Sequence, residues 1–484
     1  MNYEAINDYG SLHDADNGEL ISSHRSDLDP SSFRYKIMKL KDEASENRSK
    51  LIRTLAVCLS FIGLGACMTL IGSSLLDLQI RIQEDFSTTS RIILIKSCGY
   101  FVGGVSVAFI EKYISDSVAL FVGNILAGVC IIIAPWGTDF WWISGFIFVA
   151  NIGQGLVDLY CNLSILHIWG DKGSNFMQIL HMCFGIGSLI TPIVTSNFYL
   201  PLIQESGESS AIINSTQNST QNFTPQDVRI QWAFLIVGTY TLLNGVIFGI
   251  YCLIEFNSRS TKGSTKKVEV GNENEPSNSI PVWKKYFAVI TVAILAHIAF
   301  GVEFILGNMA QAFGVKSELK MDKKSAALLV TAFWTCFAFF KVIFIPLALY
   351  FGEKRMTYVN LVIMLISVII MVPHAAYNEL CAWISFILLG IGYSPLFAIA
   401  YASLESHFSV TARQTAIIFV GGVMGESIHP PVIGHFIDKS PNIFIYYLGA
   451  TSLLFVITMF ILPIVCQKMF QPYAKPVSTS NPIQ

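Results

Sequence analysis

The chain has 484 residues, of which 53% are hydrophobic and 13% are charged, whereas a soluble globular domain carries charge on roughly 25% of its residues. Its mean hydropathy is +0.55, so a soluble fold would expose a large apolar surface. With 31 basic and 33 acidic residues, the composition excludes a disordered chain, a nucleic-acid-binding protein and a secreted disulfide domain, and it indicates a polytopic membrane protein.

Twelve apolar stretches are long enough to cross about 30 Å of hydrocarbon as helices. In chain order they lie at 53–78, 90–110, 116–136, 140–168, 176–198, 230–255, 284–311, 325–351, 357–374, 381–404, 413–437 and 443–466. We expect the fourth and seventh spans to be the longest. These lengths predict an all-α membrane protein with twelve transmembrane helices, because barrel strands are only about 10 residues long.

A polar segment rich in Ser, Asn, Glu and Lys divides the spans into six and six. The predicted organisation is a disordered cytoplasmic N-terminal tail at 1–50, an N-terminal six-helix half at 51–255 with an extracellular loop at 199–229, a cytoplasmic linker at 256–283, a C-terminal six-helix half at 284–466 and a cytoplasmic tail at 467–484.

The two halves echo each other in sequence. Residues 153–155 (Gly-Gln-Gly) match 390–392 (Gly-Ile-Gly), and residues 187–192 (Gly-Ser-Leu-Ile-Thr-Pro) match 425–430 (Gly-Glu-Ser-Ile-His-Pro). Each match is short, but together with the central linker they predict two pseudo-symmetric six-helix halves, an arrangement that many secondary transporters share.

Two independent patterns predict the orientation. With the N-terminus inside, about 20 Lys and Arg residues fall on the cytoplasmic side and about eight outside, as the positive-inside rule requires. The loop after the fifth span then lies outside, and it carries three glycosylation sequons at Asn214, Asn218 and Asn222. Both patterns therefore predict a glycoprotein with cytoplasmic N- and C-termini.

A polar stripe follows one face of the fourth span. Asn151, Gln154, Asp158 and Asn162 are spaced i, i+3, i+7 and i+11, which aligns them on a helix. A charged group at the bilayer centre costs about 2.5–3.5 kcal/mol, so this face is expected to look into the protein. It either lines a solute pathway or joins helices through polar contacts.

Two helices of the second half carry further polar groups. In the seventh span, Glu303 is followed by Asn308 and Gln311, and Glu303 could accept a substrate hydroxyl, bind a cation or pair with a buried lysine. In the eleventh span, Glu426 and His429 precede Pro430-Pro431. We expect this double proline to break the helix and free backbone carbonyls beside a cavity.

Other buried polar groups have less specific roles. Lys96 in the second span and Lys341 in the eighth are expected to pair with the carboxylates, although they could instead clamp an anion. Gln178 and His181 lie one turn apart in the fifth span, and His297 lies in the seventh. Trp334 is mid-span and could stack on a sugar ring or pack in the core.

No enzyme motif is present: the chain lacks a Walker loop, a GxSxG elbow, an HExxH pair and a Rossmann fingerprint. We therefore expect no enzyme activity, no metal centre and no cofactor, with Na⁺ as the one candidate coupling ion. Energy for uphill transport would come from an ion gradient.

These patterns together resemble a known family. The most specific stretches are 158–162 (Asp-Leu-Tyr-Cys-Asn), 169–172 (Trp-Gly-Asp-Lys), 177–181 (Met-Gln-Ile-Leu-His), 301–303 (Gly-Val-Glu), 333–334 (Phe-Trp), 392–395 (Gly-Tyr-Ser-Pro) and 425–426 (Gly-Glu). Across most of 50–470 the chain resembles the sodium-dependent glucose transporter 1-like proteins of the major facilitator superfamily, also called major facilitator superfamily domain-containing protein 4.

This resemblance implies a carrier that works by alternating access and moves hexoses such as glucose, by sodium symport or by facilitated diffusion. The chain is more distantly similar to bacterial fucose and galactose–glucose permeases, in which an acidic residue of the fourth helix is linked to coupling and sugar binding; Asp158 has the matching place. Leu159 and Tyr160 add bulk beside that residue.

Two other functions stay open. One is a proton-coupled carrier of another small polar solute, with Lys96 and Lys341 as an anion clamp; the other is a membrane sensor or scaffold that no longer transports. The expected partners are a small sugar and the lipid bilayer, with no nucleic acid and a monomeric state. Short tyrosine and acidic dileucine patterns in the tail leave an endosomal or lysosomal membrane as the alternative to the plasma membrane.

Overall fold

The structure is a computed structural model that describes residues 47–170, 173–201, 223–261, 280–405, 407–408 and 410–470. The predicted glycosylation sites Asn214, Asn218 and Asn222 lie outside the described residues, as do nearly all of the tail 1–50 and most of the linker 256–283. All contacts discussed below lie within the compact unit that begins at Ala56.

Within the described ranges, twelve helices are long and apolar enough to cross a membrane, which confirms the predicted all-α membrane fold. They are α1 (Arg48–Ile82), α2 (Phe86–Ile110), α3 (Asp116–Ile133), α4 (Phe140–Trp169), α5 (Gly173–Ser196), α6 (Gln231–Thr261), α7 (Val282–Lys316), α8 (Lys323–Phe351), α9 (Glu353–Met371), α10a (Glu379–Tyr393) with α10b (Leu396–Glu405), α11 (Ala412–Phe436) and α12 (Ile443–Phe470).

Helix lengths differ from the expectation in one respect. Helices α1 and α7 both have 35 residues, whereas α4 has 30, so the prediction that the fourth span is among the two longest was wrong. Polar residues at both ends of α1, such as Arg48 and Arg81, continue the helix beyond the apolar stretch. Hydropathy marks the part of a helix that lies in hydrocarbon, not its full length.

The two halves repeat the same helix packing. A Cβ added to Gly187 of α5 would lie 2.0 Å from the carbonyl oxygen of Ile62 in α1, and one added to Gly425 of α11 would lie 1.9 Å from that of His297 in α7. Helix α11 therefore packs on α7 as α5 packs on α1. In both halves glycine allows a backbone approach that any side chain would block.

The glycines of the other sequence match, 153–155 and 390–392, also contact neighbouring helices. Gly155 of α4 lies against the carbonyl oxygen of Tyr100 in α2, and Gly390 of α10a lies against that of Phe333 in α8. Gly153, which the sequence pairs with Gly390, instead packs on Gly123 of α3. Gly392 packs on Met364 and Asn360 of α9, so the glycines of both motifs contact the same two neighbouring helices of their half.

Candidate solute and ion pathway

The polar residues of the helices change in exposure along the molecule. We name its two ends after their first connections: the 83–85 end, between α1 and α2, and the 111–115 end, between α2 and α3. Gln154, Asn308 and Gln311 lie nearer the 83–85 end and are each 1% exposed. Five groups nearer the 111–115 end are partly exposed: Asp158, Asn162, Gln178, His181 and Lys341. The polar path is therefore closed towards the 83–85 end and more accessible from the other.

Asp158 of α4 is held by two neutral donors. The Tyr100 hydroxyl of α2 donates to Asp158 Oδ2 at 2.5 Å, and Asn162 Nδ2 donates to Oδ1 at 3.1 Å. In the described part of the chain, Asp158 has no ion pair. The carboxylate is therefore oriented by hydrogen bonds while its charge is left uncompensated by a lysine or arginine.

The residues of the α4 stripe nearer the 83–85 end, Asn151 and Gln154, have a different environment. Asn151 donates from Nδ2 to the carbonyl oxygen of Ile147, 2.8 Å away in the same helix. The buried amide of Gln154 has the Cys67 thiol as a weak side-chain partner and no stronger hydrogen bond among the described residues. A buried amide without strong partners is costly, so Gln154 offers both a donor and an acceptor to a ligand in the pathway.

Lys96 and Glu426 form an ion pair between the two halves. Lys96 Nζ of α2 lies 3.9 Å from Glu426 Oε1 of α11, and both side chains are almost fully buried. Lys96 Nζ also donates to the carbonyl oxygen of Met68 at 2.9 Å and lies 5.2 Å from the centre of the Phe304 ring. Lys96 is thus compensated, as the sequence predicts.

Lys341 has a comparable set of neighbours on the other side of the path. Its charge interacts with Glu303 of α7 and with His181 of α5, and its ammonium lies 4.4 Å from the Phe337 ring centre. His181 also contacts the Phe61 ring edge-on, with centroids 5.6 Å apart. Glu303 therefore attracts Lys341 electrostatically, but the two are not among the ion pairs of the described residues.

The polar side chains of α7 continue towards the 83–85 end. Asn308 Nδ2 donates to the carbonyl oxygen of Phe304 at 2.8 Å, and Gln311 Nε2 donates to that of Lys323 at 3.2 Å. The side-chain oxygens of both amides have no partner among the described residues. A Cβ on Gly72 of α1 would lie 2.3 Å from the Asn308 Cα, so α1 closes tightly over this part of α7.

Helix α11 does not break at its double proline. The helix runs from Ala412 to Phe436 through Pro430 and Pro431, so the predicted break was wrong. Gly425 packs on the backbone of α7 before the prolines, and Gly434 packs on Ser90 and Met309 after them, so the helix is held on both sides. Because proline has no N–H, the carbonyls four residues earlier, at Glu426 and Ser427, still lose their helical donors.

Two histidines lie where α11 crosses α7. The Nε2 atoms of His429 and His297 are 3.0 Å apart, and the His429 ring packs on Gly301. His429 Nδ1 has no hydrogen-bond partner among the described residues. His429 therefore lies in the interior of the C-terminal half, beside Glu426, and is fixed by a second imidazole.

Trp334 is surrounded by aromatic rings. It makes edge contacts with Phe184, Phe333 and Phe337 at centroid distances of 5.7, 5.2 and 5.4 Å. It is 1% exposed, and its Nε1 lies against Gly307 without an acceptor. The faces of the indole are covered in this conformation, which favours the packing role over stacking on a sugar.

Sequence analysis missed three contributors. Tyr100 was not considered, although it lies one turn after Lys96 on the same helix face. Asp77 lies inside the first apolar stretch, a signal that was available, and it pairs with Lys323 at 3.1 Å. Lys323 lies outside the apolar stretches, and sequence alone does not show that the start of α8 is buried against α1.

Comparison with known proteins shows which family the chain resembles. The sequence profile of the Major Facilitator Superfamily matches residues 292–475. The match covers the C-terminal part of the chain, which therefore resembles that superfamily. With its twelve apolar helices, the chain is a multi-pass membrane protein similar to a family of transporters rather than to a class of enzymes.

Individual relatives support the narrower resemblance. Human Sodium-dependent glucose transporter 1 is 24% identical over 394 residues, which cover 80% of this chain and 74% of that protein. Major facilitator superfamily domain-containing protein 4A of Xenopus tropicalis is 20% identical over 427 residues, covering 77% and 84%. These are the two protein groups that the sequence motifs of the chain resemble.

Solved structures agree on the fold. The crystal structure of a D-xylose-proton symporter aligns with a TM-score of 0.58 at 12% identity and covers 84% of this chain and 96% of that one. At this identity the likeness shows the fold alone, and the twelve-helix, two-half architecture is confirmed.

Proposed function

We propose that this chain is a cation-coupled carrier of a neutral polar solute of sugar size, working by alternating access. The observation that supports it most is the charge balance of the pathway. The five charged groups there are Lys96, Lys341, Asp158, Glu303 and Glu426. Two positive and three negative charges leave a net charge of −1, and the unmatched charge is on Asp158.

The positions of the lysines argue for a neutral solute. Lys96 pairs with Glu426, so its ammonium is not free to bind an anion without first losing that carboxylate, and the charge of Glu303 attracts Lys341. Breaking a buried ion pair costs about 3–5 kcal/mol. This cost disfavours the anion clamp that the sequence left open as an alternative.

The buried amides suit hydroxyl groups. Gln154 on α4 and Asn308 on α7 come from opposite halves, and both have buried polar atoms without strong hydrogen-bond partners among the described residues. A hydroxyl donates one hydrogen bond and accepts others, so it can satisfy such amides without bringing charge. The resemblance to Sodium-dependent glucose transporter 1 makes a hexose such as glucose our first choice of solute and sodium our first choice of cation.

The bulk of Tyr160 does not argue against transport. Tyr160 is fully buried, and the charges that act on it are those of Glu111, at the end of α2, and Asp116, at the start of α3. The side chain therefore does not fill the pathway. This removes the main sequence argument for a sensor or scaffold.

We further propose that the 83–85 end faces the outside of the plasma membrane and that the protein works as a monomer with cytoplasmic termini. The distribution of Lys and Arg supports this orientation. Because the polar path is closed at that end, the structure would correspond to a state open to the cytoplasm.

The experiment is labelled-glucose uptake into proteoliposomes under a sodium gradient, a proton gradient or neither. We expect uptake that neutral hexoses inhibit and organic anions do not, and that falls at least tenfold in Asp158→Asn. Asp85→Asn is the control, because Asp85 is an exposed carboxylate in the α1–α2 connection. Inhibition by anions only, or full cation-dependent uptake by Asp158→Asn, would overturn the proposal; a proton requirement would replace sodium as the coupling ion.

A further inference from the structure

A second ion pair joins the two halves near the 83–85 end. Lys323 Nζ, at the start of α8, lies 3.1 Å from Asp77 Oδ1 in α1, and the two side chains are 6% and 1% exposed. The backbone N–H of Leu200 donates to the same Asp77 oxygen at 3.0 Å. The pair thus ties the N-terminal half to the C-terminal half beneath a cleft of about 470 Å³.

Other oxygen-bearing side chains lie near Asp77. The Tyr199 hydroxyl hydrogen-bonds with the Thr195 hydroxyl at 2.8 Å, and it interacts with the Ser73 hydroxyl, the Gln311 amide and the charge of Asp77. Asp77 Oδ2 and Gln311 Oε1 are buried and have no hydrogen-bond partner among the described residues. One carboxylate, two hydroxyls and an amide oxygen form a ligand set suited to a hard monovalent cation.

We propose that this cluster is a second cation site, which the Lys323 ammonium fills in the closed state and a sodium ion from the outer solution fills when the 83–85 end opens. Helices α1 and α8 belong to different halves, so opening that end separates Lys323 from Asp77. A carboxylate that loses its buried partner needs another cation or water. The inference goes beyond the proposed function, because it requires no particular solute.

The exchange makes opening depend on sodium. Sodium competes with Lys323 for Asp77, so it binds the open state better than the closed one and shifts the equilibrium towards opening. At a concentration about ten times its dissociation constant, the open-to-closed ratio rises roughly tenfold. Among the described residues no group of three or more His, Cys, Asp or Glu residues could hold a metal ion, and a single carboxylate favours a monovalent cation over a divalent one.

The test measures access to the cleft from outside. Leu76 lines the cleft and is 8% exposed, so Leu76→Cys reports opening through its rate of reaction with a membrane-impermeant thiol reagent on intact cells. Gln83→Cys lies in the same cleft but is already exposed, and it is the matched control. Rates are compared in sodium and in choline, without any sugar.

We expect Leu76→Cys to react at least threefold faster in sodium, while Gln83→Cys reacts equally in both. Adding Asp77→Asn should remove the sodium effect, and adding Asp158→Asn should keep it. Adding Lys323→Gln should speed the reaction in choline at least threefold, because the tethered cation is gone. The proposal would be overturned if Leu76→Cys alone reacted at equal rates in sodium and choline. It would also be overturned if the sodium effect remained after Asp77→Asn was added.

A second measurement guards against misfolded variants. Asp77→Asn/Lys323→Gln removes both charges at once and leaves no unpaired ion. In purified protein we expect sodium to shift the melting temperature of the wild type but not of this double variant. Equal shifts in the two proteins would contradict a sodium site at Asp77. Neither readout uses a solute, so failure here leaves the proposed sugar transport standing, and failure of sugar uptake leaves this site standing.

Discussion

Lys96 of α2 and Glu426 of α11 face each other across the boundary between the two halves, with Nζ and Oε1 3.9 Å apart. The distance is longer than a hydrogen bond, and Lys96 instead donates to the carbonyl oxygen of Met68. The pair is therefore an electrostatic contact that can separate without breaking a direct hydrogen bond. Such a contact suits an interface that must open and close during transport.

This geometry predicts unequal effects of removing either partner. Lys96→Met leaves Glu426 buried and repelled by the charge of Asp158, whereas Glu426→Gln leaves Lys96 with Met68 and the Phe304 ring. We expect Lys96→Met to destabilise by about 3–5 kcal/mol and Glu426→Gln by less, in thermal unfolding of purified protein. The double variant Lys96→Met/Glu426→Gln should recover more than half of the loss. If the double variant instead loses as much free energy of unfolding as the two single variants combined, the two residues do not interact.

The contact between α7 and α11 makes a second prediction. A Cβ at position 425 would lie 1.9 Å from the carbonyl oxygen of His297, and backbone atoms have little room to move. We expect Gly425→Ala to destabilise by about 1–3 kcal/mol, as overpacking does. Gly145→Ala in α4 is the matched control, because nothing lies within 4 Å of its added Cβ. Equal unfolding temperatures for the two variants would contradict the packing described.

A third prediction concerns Trp334. Since three phenylalanine rings and Gly307 surround the indole, Trp334→Phe should keep solute affinity within about twofold. Trp334→Ala should cost about 3–5 kcal/mol through the cavity it leaves. Uptake as a function of solute concentration and thermal unfolding check the two parts. A tenfold loss of affinity in Trp334→Phe with unchanged stability would instead make the indole a solute ligand.

The helices and the polar stripe can be predicted from the sequence because both depend on local patterns: the length of apolar runs and the helical spacing of polar residues. A run of about 20 apolar residues has few alternatives to a spanning helix, and the spacing of Asn151, Gln154, Asp158 and Asn162 fixes their common face. The structure keeps Asp158 and Asn162 in hydrogen-bonding contact, as that spacing requires.

Pairing between helices does not follow from the sequence in the same way. Which carboxylate faces Lys96, Lys341 or Lys323 depends on how helices from two halves cross, and residues such as Asp77 and Lys323 are 246 positions apart. The continuity of α11 through Pro430 and Pro431 has a similar cause. Tertiary packing against α7 outweighs the local preference of proline to end a helix.

The most direct test of the central claim is the charge moved with each solute molecule. Purified protein in proteoliposomes on a solid-supported membrane gives a current when glucose is added in the presence of the coupling cation. If Asp158 takes up one cation for each neutral sugar, glucose should carry positive charge inwards, and Asp158→Asn should abolish the current. Glucose uptake without any current in the wild type, or an unchanged current in Asp158→Asn, would contradict the account.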